Sequence, residues 1–190
     1  GSVRGSLGVT TVGTSAIFGA ISGASAATVA TIGKVMLPAM RGAGYPEKFT
    51  AGLITATGAI DIIIPPSIPM IVYGMAAEES VTRLYAAGIL PGLLISVMLA
   101  AYVVWFAKRN GIGAGETFKL GVFLRAAGRG VWALGAPFII LGGIYGGVFS
   151  PTEAAAVACV YSAFVTLFVY RELGWRDIVA AAATTTMFTG

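Results

Sequence analysis

The sequence predicts an all-α protein that is embedded in a membrane and crosses it several times. Of its 190 residues, 57% are hydrophobic and only 11% are charged, whereas a soluble domain has about 25% charged residues because its surface faces water. The charged residues are also clustered, so that long stretches without charge lie between them. Because open sheets cannot satisfy their backbone groups in lipid, we expect the embedded elements to be helices.

The uncharged stretches predict about six membrane-embedded elements, since a helix needs about 20 apolar residues to cross the hydrocarbon core. Residues 5–33 are too many for one simple span, and residues 49–77 are interrupted by Asp61 and three prolines. These two stretches indicate discontinuous or re-entrant helices. The other elements are residues 84–107, 130–152, 154–170 and the beginning of a further helix at 178–190.

The basic residues between these stretches predict the orientation of the chain. Lys and Arg collect in cytoplasmic loops, and here connections rich and poor in basic residues alternate. The poor connections, residues 78–83 and 146–152, should be periplasmic or extracellular. The rich connections, which should be cytoplasmic, are residues 41–48, 108–129 and 171–177.

The connection at 108–129 contains hydrophobic residues that alternate with Lys119, Arg125 and Arg129. This pattern indicates either a short amphipathic helix at the cytoplasmic interface or a loop that packs on neighbouring helices.

The composition also excludes several classes of function. The chain has no His, and Cys159 is its single cysteine, so that an internal disulfide, a His- or Cys-based metal site and a His-activated nucleophile are excluded. Without an acid–base pair to propose, we do not expect an enzyme. The net charge of +4 is accounted for by the cytoplasmic loops, and we expect no nucleic-acid partner.

The first unusual region is residues 19–28, which contain no large side chain between Ser22 and Thr28. One interpretation is close helix packing, which small residues permit. The other is a helix that is broken near Gly23. In that case unwound carbonyls and the hydroxyls of Ser22, Ser25 and Thr28 would coordinate a cation, and exposed helix N-termini would favour a substrate carboxylate.

The second unusual region is residues 55–69, which contain Pro65 and Pro66. Paired prolines remove two backbone donors and disfavour helix at the preceding residue, so that a continuous helix is not expected here. Discontinuous spans of this kind recur at the ion and substrate sites of transporters. The alternative is a kinked helix with a purely structural role.

Asp61 precedes these prolines by four residues. A carboxylate inside the membrane is costly and is by default a functional hypothesis. Asp61 could bind sodium, carry a proton or accept hydrogen bonds, or it could lie hydrated near the interface with no special role. The candidate site residues of the two regions together are Ser22, Gly23, Ser25, Thr28, Gly58, Asp61, Pro65, Pro66 and Ser67.

Two further patterns predict structural roles. The run Ser150-Pro151-Thr152-Glu153 predicts the start of a helix, with Ser150 as the cap and Glu153 in the first turn. Glycines at four-residue spacing, at 88 and 92 and again within 142–147, indicate close helix packing.

The order and spacing of several motifs resemble the large membrane subunit of tripartite ATP-independent periplasmic (TRAP) transporters over essentially all 190 residues. The motifs are FGAISGASAAT at 18–28, IG at 32–33, LPAM at 37–40, GYP at 44–46, IPPSIP at 64–69, YG at 73–74, AGILPG at 87–92 and GIYGGVFSPTEAAA at 143–156.

This resemblance implies an elevator-type secondary transporter that is built from two inverted repeats and lies in the bacterial inner membrane, surrounded by lipid. It implies two protein partners, a small membrane subunit and a soluble periplasmic binding protein that delivers a small organic acid such as a C4-dicarboxylate. Uptake would be driven by a sodium gradient, with Na⁺ held by Ser22, Ser25, Ser67 and neighbouring carbonyls in the mobile part, and no other cofactor is implied.

The ends of the sequence lead us to expect an internal fragment of a longer protein, because the chain ends within an apolar helix and lacks an initiator Met. Residues 1–107 would then belong to the first repeat, 108–129 would be the connection, and 130–190 would begin a truncated second repeat. Asp61 departs from the family, which often has an uncharged residue there, and this difference leaves open an altered ion stoichiometry or proton coupling.

Two other functions remain open from the sequence. One is a dicarboxylate or citrate carrier that works without a binding protein. The other is a channel or a structural membrane subunit, although the rings of charge that are typical of channels are not seen in the sequence.

Overall fold

The computed structural model describes residues 5–112, 120–171 and 173–189. All regular structure in these ranges is helical, which confirms the all-α prediction. The helices are α1 Ser6–Ser22, α2 Ser25–Gly42, α3 Glu47–Ile63, α4 Ile68–Ala76, α5 Val81–Arg109, α6 Leu120–Tyr145, α7 Pro151–Phe164 and α8 Trp175–Thr189, with a π-helical segment Val165–Tyr170 directly after α7.

The chain divides into two compact units, Gly1–Leu124 and Arg125–Gly190. In the first unit, α1 and α3 pack on each other and each also packs on α2 and α5, while α4 packs on α3 and α5. The buried face of α1 repeats every three or four residues and consists mostly of small residues, so that neighbouring helices approach its backbone closely. The core of this unit is formed by Val12, Met40, Tyr45, Leu53, Ile60, Val103, Ala107 and Ile112.

Two helices of the described residues are long and apolar enough to cross a membrane, Val81–Arg109 and Pro151–Tyr170. Glu47–Ile63 and Ile68–Ala76 form a third span if they are taken together. The axis bends by 42° between them. Ser6–Ser22 and Gly130–Tyr145 are apolar but shorter. The described residues thus contain two full spans, or three if the bent pair is one span. The six embedded elements expected from the sequence also included discontinuous and incomplete ones, and their number stays a prediction.

The connections differ in length from the expected ones. Helix α2 continues past residue 33 to Gly42, where Arg41 forms an ion pair with Glu47 of α3. Helix α6 already begins at Leu120, so that residues 120–129 are the first turns of that helix. Residues 113–119 lie outside the described residues. The division of the chain into three parts and its orientation stay predictions.

In the second unit, the predicted helix start at Ser150 is confirmed. The Ser150 N–H donates to Glu153 Oε2 at 2.8 Å and the Glu153 N–H donates to Ser150 Oγ at 3.3 Å, which is a capping box. The glycines within 142–147 were predicted to allow close helix packing, and this prediction is only partly right. Outside its own helical backbone, no described residue has an atom within 4 Å of a Cβ built on Gly142, and Gly147 has φ +69° in the turn after α6.

Candidate functional site

The first candidate region is a helix that is broken after Ser22. Gly23 has a left-handed backbone with φ 60°, Ala24 is extended, and α2 begins at Ser25. Glycine is the residue that takes this conformation at a helix end without steric cost. We call residues 23–24 the first break. The broken-helix interpretation is therefore confirmed, and close packing through small residues accompanies it, as described below.

The second candidate region is a break between α3 and α4. Helix α3 ends at Ile63, Ile64 and Ser67 have extended backbones, and α4 begins at Ile68. The prolines between them lack an N–H group, so that the hydrogen bonds of α3 cannot continue. The Ser67 hydroxyl donates to the carbonyl of Ile62 at 2.6 Å and closes the end of α3. The helix is therefore interrupted here, as the prolines predicted, while the choice between a structural and a binding role stays open. We call residues 64–67 the second break.

The two breaks are in direct contact. The Ile68 N–H donates to the Gly23 carbonyl at 3.4 Å, and a Cβ built on Gly23 would lie 2.7 Å from the carbonyl oxygen of Pro66. Only glycine therefore fits at position 23, for reasons of space as well as of conformation. The two breaks are about 40 residues apart in the sequence but adjacent in space. They meet because α1 and α3 pack together and their C-terminal ends are close to each other.

Four helix ends meet where the breaks touch. The C-terminal ends of α1 and α3 carry partial negative charge, and the N-terminal ends of α2 and α4 carry partial positive charge. Neither α2 nor α4 has a side-chain cap on its first N–H groups. The arrangement therefore offers carbonyl oxygens to a cation and N–H groups to an anion within one small region.

Asp61 lies one helical turn before the second break and is completely buried. Its carboxylate packs against Gly19 of α1, where a Cβ would overlap Oδ1. Neither carboxylate oxygen has a hydrogen-bond partner. Asp61 is therefore not hydrated in this fold, while its depth in the membrane stays a prediction. Because burying an unpartnered carboxylate is costly, Asp61 remains a candidate functional residue.

Two hydroxyls in this region are buried without a partner as well. Thr28 lies near the Asp61 carboxylate, but its hydroxyl makes no bond within hydrogen-bond geometry. Ser15, one turn before Gly19 on the same face of α1, is also buried and unpartnered. Buried polar atoms without partners are rare and point to a missing ligand, ion or water.

The remaining predicted residues lie around the same contact. Gly58 faces α2, where its Cβ would be 2.8 Å from Val29 Cγ2 and 3.6 Å from Ser25 Cβ. Ser22 is half-buried, and its hydroxyl donates to the Ala24 carbonyl at 3.4 Å. The structure thus brings the nine predicted residues to one place between α1, α2 and α3. Their role as ligands stays a prediction.

Sequence reasoning missed two residues of this region, Ser15 and Tyr85. The hydroxyl of Tyr85 donates to the Ser67 carbonyl at 3.5 Å, and the side chain is completely buried. Gly88 and Gly92, on the same face of α5, pack against Ile63 and Ile64, as the glycine spacing predicted. The spacing of Gly88 and Gly92 predicted a packed face of α5, but nothing in the sequence placed Tyr85 on that face or identified the second break as its partner.

Among the residues that the structure describes, no three His, Cys, Asp or Glu side chains gather into a metal site. A cation between the breaks would instead meet one carboxylate, hydroxyls and backbone carbonyls. Such oxygen ligands suit a hard cation and not a transition metal.

The comparisons with known proteins identify the family. The whole chain, residues 1–190, matches the family described as tripartite ATP-independent periplasmic transporter, DctM component. An isethionate TRAP transporter permease protein (DctMQ) of Oleidesulfovibrio alaskensis is 44% identical over 98% of this chain and 30% of its own length. A C4-dicarboxylate TRAP transporter large permease protein (DctM) of Pseudomonas aeruginosa is 46% identical over 91% of this chain and 40% of its own length.

A third relative, an ectoine/5-hydroxyectoine TRAP transporter large permease protein (UehC) of Ruegeria pomeroyi, is 41% identical over 100% of this chain and 44% of its own length. The chain thus spans less than half the length of these relatives. The resemblance seen in its motifs is confirmed, and the chain belongs to the DctM family of membrane permeases of tripartite ATP-independent periplasmic transporters.

Proposed function

We propose that this chain forms one ion- and substrate-binding part of a large permease subunit that imports a small organic anion, with a carboxylate as the expected group, together with sodium. The observation that supports this function best is the contact between the two helix breaks at Gly23 and Pro66. Broken helices that place half-helix ends at the middle of the bilayer are a recurrent design of ion-coupled transporters. Two of the relatives are named for organic anions, isethionate and C4-dicarboxylate.

In this proposal, sodium binds at the carbonyl ends of α1 and α3 with help from the hydroxyls of Ser22, Ser25 and Ser67. Ser67 already donates its proton to Ile62, and Ser22 donates to Ala24. A hydroxyl that donates its proton keeps its oxygen lone pairs, which face away from the acceptor and can coordinate a cation. The two hydrogen bonds therefore orient these oxygens and do not compete with sodium.

The substrate anion binds at the N-terminal ends of α2 and α4. Neither end is capped by a side chain of its own N-cap residue. The α2 end is the main contributor, because in α4 the Ile68 N–H already donates to the Gly23 carbonyl and Pro69 has no N–H group. An anion at a helix N-terminus is stabilised by about 0.3–1 kcal/mol at an exposed site and by more where water is excluded. Two such ends beside one cation would favour a carboxylate over a neutral molecule.

Asp61 is the proposed link between ion binding and movement. A buried, unpartnered carboxylate is stabilised when a cation arrives beside it, and Thr28 and Ser15 supply further oxygens at this level. Either a sodium ion or a proton at Asp61 would neutralise the buried carboxylate and so lower its unfavourable free energy of burial. The two differ in one observable property, the response of uptake to a proton gradient.

The proposed complete transporter lies in the bacterial inner membrane and has two protein partners, a small membrane subunit and a periplasmic binding protein. The family description, which calls these transporters tripartite and periplasmic, supports this over a carrier that works alone. The part described here would move as one body with its bound ion and substrate, since the breaks are held by α1, α3 and α5 together.

The first experiment is uptake of a radiolabelled organic acid into proteoliposomes that contain the complete permease with its small subunit. We expect uptake to require both an inward sodium gradient and the binding protein. Uptake that ignores the binding protein would support the stand-alone carrier. Uptake that follows a proton gradient instead of sodium would make Asp61 a proton carrier, and single-channel currents would contradict the transporter proposal altogether.

A second experiment tests the site itself. Ser25→Leu places a bulky side chain at the contact between α2 and Gly58 and should abolish uptake. Ala26→Leu changes the neighbouring, exposed position of the same helix and should leave uptake close to that of the unchanged protein. Membrane insertion of both variants is compared by membrane fractionation, and equal uptake by the two would remove the site assignment.

A further inference from the structure

A long apolar groove runs along the outer surface of α5 beside the first turns of α1. It has a volume of about 540 Å³, and Val9 of α1 forms one side. The α5 residues in it include Val97, Ala101, Val104 and Lys108, which follow one another at three- and four-residue spacing. Residues at this spacing form one stripe on a helix, and the stripe is about 16 Å long at 1.5 Å per residue.

One end of this groove is cationic and aromatic. Lys108 and Trp105 line that end, and the Arg109 guanidinium lies over the Trp105 ring, 5.4 Å from its centroid. Trp is enriched at the level of the lipid headgroups, and long basic side chains extend along apolar surfaces until their charge reaches the interface. The other lining residues of the groove are apolar.

The surroundings of this end are also cationic. Phe49 of α3 stacks on Phe106 with 3.7 Å between ring centroids, so that the N-terminal end of α3 lies at the same level as Lys108. Of the charged residues there, Glu47 is engaged by Arg41, and Lys48 is exposed. The acidic residues Glu78 and Glu79 precede the opposite end of α5. An anion is therefore the ligand that this end favours.

We propose that the groove binds an anionic phospholipid, with one acyl chain along the stripe from Val97 to Val104 and the phosphate at Lys108 and Arg109. Basic pockets beside membrane helices on the cytoplasmic side are typical sites for anionic headgroups. A partner helix in the same groove would need an acidic residue to meet Lys108. A zwitterionic lipid would fill the groove but gain little from the two cations.

The test uses the complete permease with its small subunit in mixed vesicles of phosphatidylglycerol and phosphatidylethanolamine. The photo-crosslinker p-benzoylphenylalanine replaces Val97 in the groove. In a control protein it replaces Met98, which is 62% exposed but lies outside the groove. Mass spectrometry of the adducts should show phosphatidylglycerol enriched over the vesicle composition at position 97 and not at position 98. A protein adduct at position 97 or an adduct with the bulk lipid composition would overturn the proposal.

Charge variants show whether the cations cause the enrichment. A basic residue near an anionic surface contributes about fivefold in lipid affinity, so that Lys108→Gln and Arg109→Gln should each lower the enrichment about fivefold at most, and the double variant should abolish it. Arg83→Gln at the opposite end of α5 is the control and should have no effect. Enrichment that persists in the double variant would overturn the proposal. Gel filtration confirms that these exposed substitutions leave the complex assembled.

Discussion

The two breaks of this chain interrupt their helices by different physical means. The first break depends on a single glycine with φ 60°, which turns the chain without a side chain in the way. The second break has two prolines that lack donors, and it is closed by the Ser67 hydroxyl on Ile62 and by the Tyr85 hydroxyl on the Ser67 carbonyl. The first break therefore depends on one residue that has no side chain. The second break depends on several groups together, namely two prolines and two hydroxyls.

This difference predicts unequal sensitivity to substitution. A conformational requirement at one residue is lost completely when that residue changes. A break that several groups enforce is weakened in steps, because each group contributes a limited share. Since the two breaks touch, both kinds of damage should be seen at the same site and can be compared in one assay of uptake.

The largest effect is expected for Gly23→Ala. Its Cβ would lie 2.7 Å from the Pro66 carbonyl oxygen, and a left-handed conformation costs a non-glycine residue about 1–2 kcal/mol. Relief requires the two breaks to separate, so that uptake by the complete permease should be abolished while the protein still inserts into the membrane.

Gly44→Ala is the matched control for this substitution. Gly44 has φ +86°, but apart from its chain neighbours no described residue has an atom within 4 Å of its Cβ position. It therefore bears the conformational cost without the collision. Equal loss of uptake in both variants would show that backbone strain alone is responsible and that the contact between the breaks is unimportant.

The second largest effect is expected for Asp61→Asn, which keeps the size of the side chain beside Gly19 and removes its charge. If Asp61 attracts the coupling cation, uptake should fall at least about tenfold, the equivalent of 1.4 kcal/mol, and its dependence on the ion gradient should change. Initial rates are measured against sodium concentration at several pH values. Thr57→Val, one turn earlier on the same buried face, is the control, and an unchanged ion dependence in Asp61→Asn would exclude Asp61 from coupling.

A smaller effect is expected for Pro65→Ala in the second break. The alanine restores one N–H group and so favours extension of α3, but Pro66, Ser67 and Tyr85 remain to hold the break. Uptake should fall several-fold and remain measurable. Pro91→Ala, within α5 and outside the breaks, is the control. Complete loss of uptake in Pro65→Ala would mean that the second break is as sensitive as the first and would remove the distinction between them.

The sequence predicted the second break outright and gave the first as one of two interpretations, beside close helix packing, because each break has a local cause. Pro65 and Pro66 exclude helix by their own covalent structure, and the run of small residues around Gly23 is local as well. The sequence could not show that Gly23 meets Pro66 or that Gly19 faces Asp61, because these contacts depend on how α1 and α3 cross. For the same reason Ser15 and Tyr85 were missed, since an isolated serine or tyrosine in an apolar stretch has no pattern of its own.

The smallest effect is expected for Tyr85→Phe. The substitution removes one hydroxyl, whose bond to the Ser67 carbonyl is long at 3.5 Å, and leaves the ring in its buried position. A net contribution of about 0.5–1.5 kcal/mol for such a bond predicts a change of about two- to tenfold in the sodium concentration for half-maximal uptake, with the maximal rate less affected. Tyr102→Phe, on the partly exposed face of α5, is the control. If Tyr85 only fills space, both variants will match the unchanged protein, because phenylalanine fills the same space. If it orients Ser67, the sodium dependence alone will shift, since the carbonyl that Tyr85 holds belongs to the second break and not to the packing of α5.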